Sequence, residues 1–196
     1  MRVVLIAPPG GGKGTQGVRI ANRYRLTHIA TGDLFRAEVR SETEVGKQIV
    51  ALMSKGDLVP DDVVEAVLRG PVERAVASGG YVLDGFPRTV DQATLAREIA
   101  STFNGEAEVV IYIDVPAEDL VARLLRRAEI EGRADDNEVT IRHRLEVFES
   151  STRPLIDHYR DIGILRSVDG TKSISEVSDQ IYAALDPLDT RFPQKA

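Results

Sequence analysis

The segment Val109–Val115 is apolar on both faces of any strand that it could form. Its sequence is VVIYIDV, in which β-branched residues predominate. A strand that buries both of its faces is typical of the centre of a parallel sheet that helices cover on each side. The segment therefore predicts an α/β fold with helices on both faces of a parallel sheet.

Other apolar runs along the chain alternate with segments of helical periodicity. Further strands are predicted at Val3–Ala7, His28–Ala30, Tyr81–Leu83 and Ile164–Val168. Helices are predicted at Lys13–Tyr24, at Leu120–Arg127, at Val139–Tyr159 with a disturbance at Pro154, and on the stripe Ile174, Val177, Ile181 and Leu185. This alternation predicts parallel strands that are joined by right-handed crossovers.

Three stretches depart from the alternation of strands and helices. Residues 30–59 are predicted to form a helical insertion with turns near Gly32 and Gly56. Residues 128–137 are polar and are predicted to form a loop between two helices. The tail, residues 186–196, contains two prolines and is expected to fray.

Composition excludes several classes of protein. The 196 residues are enough for one well-buried domain, and the formal net charge of −6 disfavours a protein that binds nucleic acid through a basic face. The absence of Cys excludes disulfides and thiolate metal sites, and three widely spaced His disfavour a histidine metal site. The apolar run Val3–Ala7 is shorter than the roughly 7–15 residues of a signal-peptide core. We therefore expect a cytoplasmic protein with neither a membrane partner nor a nucleic-acid partner.

A glycine-rich loop, residues 7–15, lies between a predicted strand and a predicted helix. In such a loop the backbone N–H groups converge on phosphate oxygens, and the N-terminus of the helix adds positive potential. Lys13 would contact the terminal phosphates and the Thr15 hydroxyl would approach Mg²⁺. The strict G-x-x-x-x-G-K-[ST] pattern is not met, because Ala7 occupies its first position and Gly14 separates Lys13 from Thr15. A simple strand-to-helix turn is the alternative, but four glycines around a lysine favour phosphate binding.

Six short motifs follow one another along the chain. They are GGGKGTQ (Gly10–Gln16), ATGDLFR (Ala30–Arg36), GDLVPD (Gly56–Asp61), LDGFPRTVDQ (Leu83–Gln92), GRADD (Gly132–Asp136) and VDGTK (Val168–Lys172). Their order and spacing resemble those of the adenylate kinases, which belong to the nucleoside monophosphate kinases, over nearly the whole chain up to about Leu185. The resemblance implies a reversible, Mg²⁺-dependent transfer of the terminal phosphoryl group of ATP to AMP, which gives two ADP.

The resemblance also implies a domain organisation. It is that of one P-loop NTPase-type kinase domain, residues 1–196, with a core of residues 1–29, 60–126 and 138–186. The nucleoside-monophosphate-binding insertion would be residues 30–59, the short lid 127–137 and the flexible tail 187–196. Longer members of the family have a larger lid that sometimes holds zinc, and this chain has neither that length nor the cysteines. No zinc is therefore expected, and a monomer is expected for a small enzyme that opens and closes.

Site residues are implied motif by motif. The ATP site would comprise Gly10, Gly11, Gly12, Lys13, Gly14, Thr15, Arg127 and Lys172. The AMP site would comprise Thr31, Arg36, Asp57, Leu58, Val59, Gly85, Phe86, Pro87, Arg88, Gln92, Arg133 and Arg144. The residues expected to act on the transferred group are Lys13, Arg88, Arg123, Arg127, Arg133 and Arg144. Mg²⁺ would be met by Thr15 and, through water, by Asp33 and Asp84. Arg126 and Arg142 match no motif and are predicted to be surface residues.

Several of these residues also have a purely structural explanation. Thr31 is suited to cap a helix N-terminus, and Asp33 is suited to the first turn of that helix. Residues 57–59 could be an ordinary loop. Replacement of the family's first loop glycine by Ala7 is expected to be harmless, because Ala7 ends an apolar run and should have ordinary strand geometry.

The expected reaction needs no general base. The acceptor phosphate has a second pKa of about 6 and is largely dianionic at neutral pH, so alignment and charge stabilisation are the main requirements. We expect residues 30–59 and 127–137 to close over the two nucleotides and to exclude water. The alternatives are a UMP/CMP kinase of the same fold, against which Thr31 and Gln92 argue, and a nucleotide-binding module without turnover.

Overall fold

One parallel sheet forms the centre of the structure, a computed structural model that describes residues 1–131 and 137–189. Its strands within those residues are β1 (Arg2–Ile6), β2 (Thr27–Ala30), β3 (Tyr81–Asp84), β4 (Val109–Asp114) and β5 (Leu165–Asp169). Their spatial order is β2-β3-β1-β4-β5, and each pairing is parallel. The predicted α/β fold is confirmed, and each of the predicted strands is present.

Helices connect the strands. They are α1 (Lys13–Tyr24), α2 (Thr31–Arg40), α3 (Glu44–Lys55), α4 (Asp61–Ala77), α5 (Val90–Ser101), α6 (Ala117–Glu131), α7 (Glu138–Val147), α8 (Pro154–Asp161) and α9 (Ile174–Leu185). A π-helical segment, Phe148–Thr152, joins α7 to α8. In the part of the chain that is described, no helix is both long and apolar enough to cross a membrane.

Two hydrophobic cores lie on opposite faces of the sheet. Alternate residues of a strand point to opposite faces, and in β4 Val110 packs into one core while Ile111 packs into the other. The first core includes Phe35, Ile49 and Leu155 from the helices α2, α3 and α8. The second core is formed by residues of α1, α6 and α9. The apolar character of β4 on both faces is thus explained by its position between two helical layers.

Several predicted boundaries were wrong. Gly32 lies inside α2, and the turn of the insertion is instead at residues 41–43, where the Thr43 hydroxyl accepts a hydrogen bond from Gly46 N–H at the start of α3. Helix α6 continues to Glu131, so the predicted loop 128–137 begins as helix. Residues 132–136 of that loop lie outside the described residues.

The segment predicted as one long helix, residues 139–159, is helical but changes its winding. The change is the π-helical segment before Pro154, and Pro154 itself takes the first position of α8, where a missing N–H has no cost. The start of the predicted tail also has regular structure, because Asp186–Leu188 forms a 3-10 turn and Asp189 is buried. Residues 190–196 lie outside the described residues.

The sheet aligns the ends of three neighbouring strands. Asp84, the last residue of β3, pairs with Leu5 of β1 on one side and with Ala30 of β2 on the other. The glycine-rich loop follows β1, Thr31 follows β2, and Gly85 follows β3. Because the strands are parallel, the three segments that leave them meet at the same edge, which is where α/β sheets bind their ligands.

Candidate active site

The glycine-rich loop between β1 and α1 has a backbone that needs glycine at two positions. Gly10 and Gly12 have φ angles of 81° and 91°, which L side chains rarely adopt. At Gly10 a Cβ would also come within 2.9 Å of Leu124 Cγ on α6. Ala7 is absent from the positive-φ residues and is 4% exposed, so its expected ordinary geometry is confirmed.

Lys13 and Thr15 lie in the first turn of α1. Gly12 is the N-cap of this helix and has no side chain that could bond to the first N–H groups. The N–H groups of a helix N-terminus attract anions. The Lys13 ammonium donates to the carbonyl oxygens of Ala7 at 2.7 Å and of Pro8 at 3.3 Å. The half-buried lysine is thereby held over the loop, and the exposed Thr15 lies two residues further along the chain.

A large cavity of about 830 Å³ opens at this edge of the sheet. The predicted site residues that line it are Gly10, Gly11, Gly12, Lys13, Gly14, Thr15, Asp33, Arg36, Leu58, Asp84, Gly85, Pro87, Arg88, Arg123 and Arg144. A small cavity of about 60 Å³ adjoins it. The predicted residues found only in the small cavity are Thr31, Asp57, Val59, Phe86 and Gln92.

Three arginines line both cavities and define their junction: Arg36, Arg88 and Arg144. Burial lowers the pKa of the Arg88 guanidinium below its ordinary value; the charges of Arg144 and Arg36 lower it further, and Asp84 partly offsets them. The Arg88 Nε–H donates to the carbonyl oxygen of Gly85 at 2.8 Å. Positive charge concentrated in this way is suited to the binding of a polyanion.

Arg36 and Arg144 are held by different elements. Arg36 on α2 forms an ion pair of 2.5 Å with Asp33, one turn earlier. Arg144 on α7 lies against Gly56, because a Cβ at Gly56 would be only 2.6 Å from Arg144 Cγ. Gly56 has a φ of 85° and ends α3, so this turn brings the insertion into contact with α7.

The small cavity contains an unused hydrogen-bonding group. Thr31 is 1% exposed, and its Oγ1 is buried without a hydrogen-bond partner. Gln92 is also buried, and its amide is already engaged, since Oε1 accepts from Arg88 N–H at 2.8 Å and Nε2 donates to Asp61 Oδ1 at 2.7 Å. The predicted capping role of Thr31 was wrong, because Ala30 is the cap and Thr31 is the first residue of α2.

Oxygen atoms are the metal ligands that this edge offers. Asp84 ends β3, Asp33 lies in the first turn of α2, and both line the large cavity with Thr15. Among the residues that the structure describes, no three His, Cys, Asp or Glu side chains group closely enough to hold a metal. This sparse oxygen set fits Mg²⁺, which keeps several waters and is bound by one or two carboxylates together with substrate phosphates.

Other predicted residues are only partly brought to the site. Arg123 lines the large cavity and donates to the Gly170 carbonyl oxygen at 3.3 Å. Lys172 lines neither cavity, and its exposed ammonium lies 3.5 Å from Asp169. The side chain of Arg127 and the whole of Arg133 lie outside the described residues, so their roles stay predictions.

Arg126 was missed by the sequence analysis. It was assigned to the surface and is exposed there, as predicted, but it also lines the large cavity. Its spacing of three residues from Arg123 on the same helix could have revealed this, since such residues share a face. Arg142, assigned to the surface with it, is exposed and forms an ion pair with Glu138 at 2.7 Å.

Comparison with known proteins agrees with this geometry. The family model described as adenylate kinase matches residues 5–164. The adenylate kinase of Leptospira biflexa serovar Patoc is 45% identical over 184 residues, which are 94% of this chain and 99% of that protein. Those of Thermobifida fusca and Clavibacter michiganensis are 43% and 42% identical, over 94% of this chain and over 98% and 92% of their own lengths. The phosphate-binding loop, the arginine cluster and these relatives lead to the same conclusion: the chain belongs to the adenylate kinase family.

Proposed function

We propose that this chain transfers the terminal phosphoryl group of ATP to AMP, reversibly and with Mg²⁺, to give two ADP. The proposal rests on one observation, the junction of two cavities at a cluster of three arginines. Arg36, Arg88 and Arg144 line both cavities, and Lys13 lines the large one. With the polyphosphate of ATP on one side of this junction and the phosphate of AMP on the other, the same cations would neutralise the charge of both.

The donor nucleotide would occupy the large cavity. Its phosphates would meet the N–H groups of the glycine-rich loop, and the Lys13 ammonium would leave the carbonyl oxygens of Ala7 and Pro8 for them. Arg123 lies at the α6 side of this cavity. Thr15, and Asp33 and Asp84 through water, would hold Mg²⁺, which would neutralise phosphate charge.

The acceptor would place its phosphate among Arg36, Arg88 and Arg144. Planar guanidinium groups bind phosphoryl oxygens through two parallel hydrogen bonds, which fixes orientation as well as charge. Its base would enter the small cavity, where the unpartnered Thr31 hydroxyl and the second N–H of Gln92 remain available. The present 60 Å³ is far below the volume of an ordinary ligand site. The insertion must therefore move when the acceptor binds.

Catalysis would come from alignment and from charge stabilisation. A phosphate acceptor is already ionised, so no side chain has to accept a proton. Arg88 is held by its hydrogen bond to the Gly85 carbonyl oxygen before substrate arrives, so it needs little reorganisation as charge moves toward the leaving group. Closure of residues 30–59 and 127–137 over the ligands would exclude water and prevent hydrolysis of ATP.

We also propose that the protein acts in the cytoplasm and as a monomer. ATP and AMP are metabolites of the cell interior, so we expect the protein to act in the cytoplasm. The two cavities are built from one chain, which supports a functional monomer. Light scattering of the purified protein measures the oligomeric state directly.

The test is a coupled assay of ADP formation with ATP as donor and AMP, UMP, CMP or GMP as acceptor. We expect kcat/KM to be highest with AMP. A higher value with UMP would replace the assignment by a pyrimidine nucleotide kinase. Tight ATP binding without ADP formation from any acceptor would leave a nucleotide-binding module.

A further inference from the structure

A hydrogen bond links α7 to the segment that leaves the insertion. His143 Nε2 lies 2.7 Å from Asp57 Oδ1, although the two residues are 86 positions apart in the sequence. Asp57 follows Gly56 at the end of α3, and His143 lies on α7. Both side chains are partly exposed, at 41% for His143 and 37% for Asp57.

The direction of this hydrogen bond is fixed by chemistry. An ionised carboxylate can only accept, so Nε2 must donate its proton, whether the imidazole is neutral or protonated.

Both partners are next to residues of the small cavity. Asp57 and Leu58 line it, and so does Arg144, which follows His143 directly. The same junction contains the close approach of Gly56 to Arg144. The hydrogen bond thus fixes the spacing between the segment of residues 56–59 and the arginine that borders both cavities.

We propose that His143 is a positioning residue for the acceptor nucleotide. It holds Asp57 and thereby keeps residues 56–59 next to Arg144, so that the wall of the base cavity and this guanidinium stay together when the rest of the insertion moves to admit the acceptor. This inference rests on the proposed function and deepens it. It gives His143 no contact with substrate and no part in the chemical step.

The expected effect is modest and confined to one substrate. Partly exposed pairs of this kind contribute little to stability, so the fold should tolerate their removal. Loss of the link should raise the KM for AMP about two- to five-fold, as expected for an interaction of this strength. The KM for ATP and kcat should remain within experimental error.

A double-mutant cycle tests the link. The variants are His143→Ala, Asp57→Ala and the combination of both, with His143→Gln as the conservative replacement whose amide can still donate to Asp57. Each single alanine variant should raise the KM for AMP, and the double variant should raise it no further than the larger single effect. His143→Gln should recover most of the affinity for AMP.

Arg142→Ala is the matched control, because it removes the neighbouring ion pair with Glu138 on the same helix. It should leave the KM for ATP and the KM for AMP unchanged.

Three results would overturn the inference: additive effects of the two alanine substitutions, equal increases in the KM for ATP and for AMP, or no change in either KM. Kinetics of the wild-type protein in the same assay distinguish failure of this inference from failure of the proposed function. Wild-type turnover of ATP with AMP and an unaffected His143→Ala variant would refute the positioning role alone. No wild-type turnover with any acceptor would refute the proposed function itself.

Discussion

Thr31 shows how a residue can be unfavourable for the stability of the fold and still be suited to a binding site. Its hydroxyl is buried without a partner in the small cavity, and an unsatisfied buried polar group costs about 1–3 kcal/mol. The sequence offered a simple capping role for Thr31 because the motif opens a helix. The empty hydrogen-bonding position became visible only when burial and partners were known.

The Thr31→Val variant should separate stability from binding. Valine keeps the branched shape and removes the unsatisfied hydroxyl, so the free energy of unfolding should rise by about 1–3 kcal/mol. The KM for AMP should rise about two- to ten-fold, because the bound base loses one hydrogen bond. Urea denaturation and steady-state kinetics measure the two quantities.

Thr94→Val provides the control for the Thr31 substitution. The Thr94 hydroxyl is exposed and donates to the Val90 carbonyl oxygen on α5. Thr94 lines neither cavity. The KM for AMP should not change in this variant. An unchanged KM for AMP in Thr31→Val would contradict the assignment of the small cavity to the acceptor base.

At the scale of elements, the predictable features were those set by local pattern. The periodicity of α1 and the apolar run of β4 define their positions almost to the residue. The end of α6 was misplaced because residues 128–131, AEIE, were grouped with the polar, glycine-containing residues that follow them, although Ala and Glu favour helix. The contact between His143 and Asp57 had no local signal at all, since it depends on how α7 packs against the end of α3.

The end of α3 gives a prediction that separates strain from site geometry. Gly56 and Gly163 have φ angles of 85° and 80°, so alanine should cost about 1 kcal/mol of stability at either position. Only at Gly56 would the new Cβ meet Arg144 Cγ, at 2.6 Å, whereas nothing lies within 4 Å at Gly163. Gly56→Ala should therefore also raise the KM for AMP, and Gly163→Ala should not.

Thermal unfolding and kinetics of the two glycine variants provide the comparison. The expected result is a loss of stability in both variants, larger for Gly56→Ala because of the clash with Arg144, and an altered KM for AMP in the Gly56 variant alone. If Gly163→Ala raised this KM as much, general destabilisation would explain both variants. The turn that holds Arg144 would then have no specific role.

For the whole molecule, the order of strands explains why motifs far apart in sequence form one site. The loops after β1, β2 and β3 meet because these strands are neighbours in the sheet, and α6 and α7 contribute Arg123 and Arg144 from the other side. The resemblance to a family predicted this gathering of residues. Composition and periodicity predicted the parallel sheet but not its strand order.

Stability of the whole fold should fall at high pH because of buried tyrosines. Burial raises the pKa of Tyr81, whose hydroxyl donates to the Gly105 carbonyl oxygen at 2.8 Å, and burial also raises the pKa of Tyr159. In the unfolded chain a phenol ionises near pH 10. The unfolded state therefore releases protons first, and the free energy of unfolding should decrease as the pH rises above about 10.

Urea denaturation at several pH values measures this decrease. The Tyr81→Phe variant should lose part of the slope above about pH 10. Its lost hydrogen bond should lower stability by about 1 kcal/mol at all lower pH values. A slope that is identical in the variant and the wild type would show that Tyr81 does not resist ionisation in the folded state.

A crystal structure with a bisubstrate mimic, two adenosines joined by a chain of phosphates, tests the central claim most directly. We predict that one molecule fills both cavities, with its phosphates among Lys13, Arg36, Arg88 and Arg144 and one adenine beside the Thr31 hydroxyl. Phosphates bound away from these four cations, or two separate mimic molecules in the two cavities, would contradict direct transfer between nucleotides at this junction.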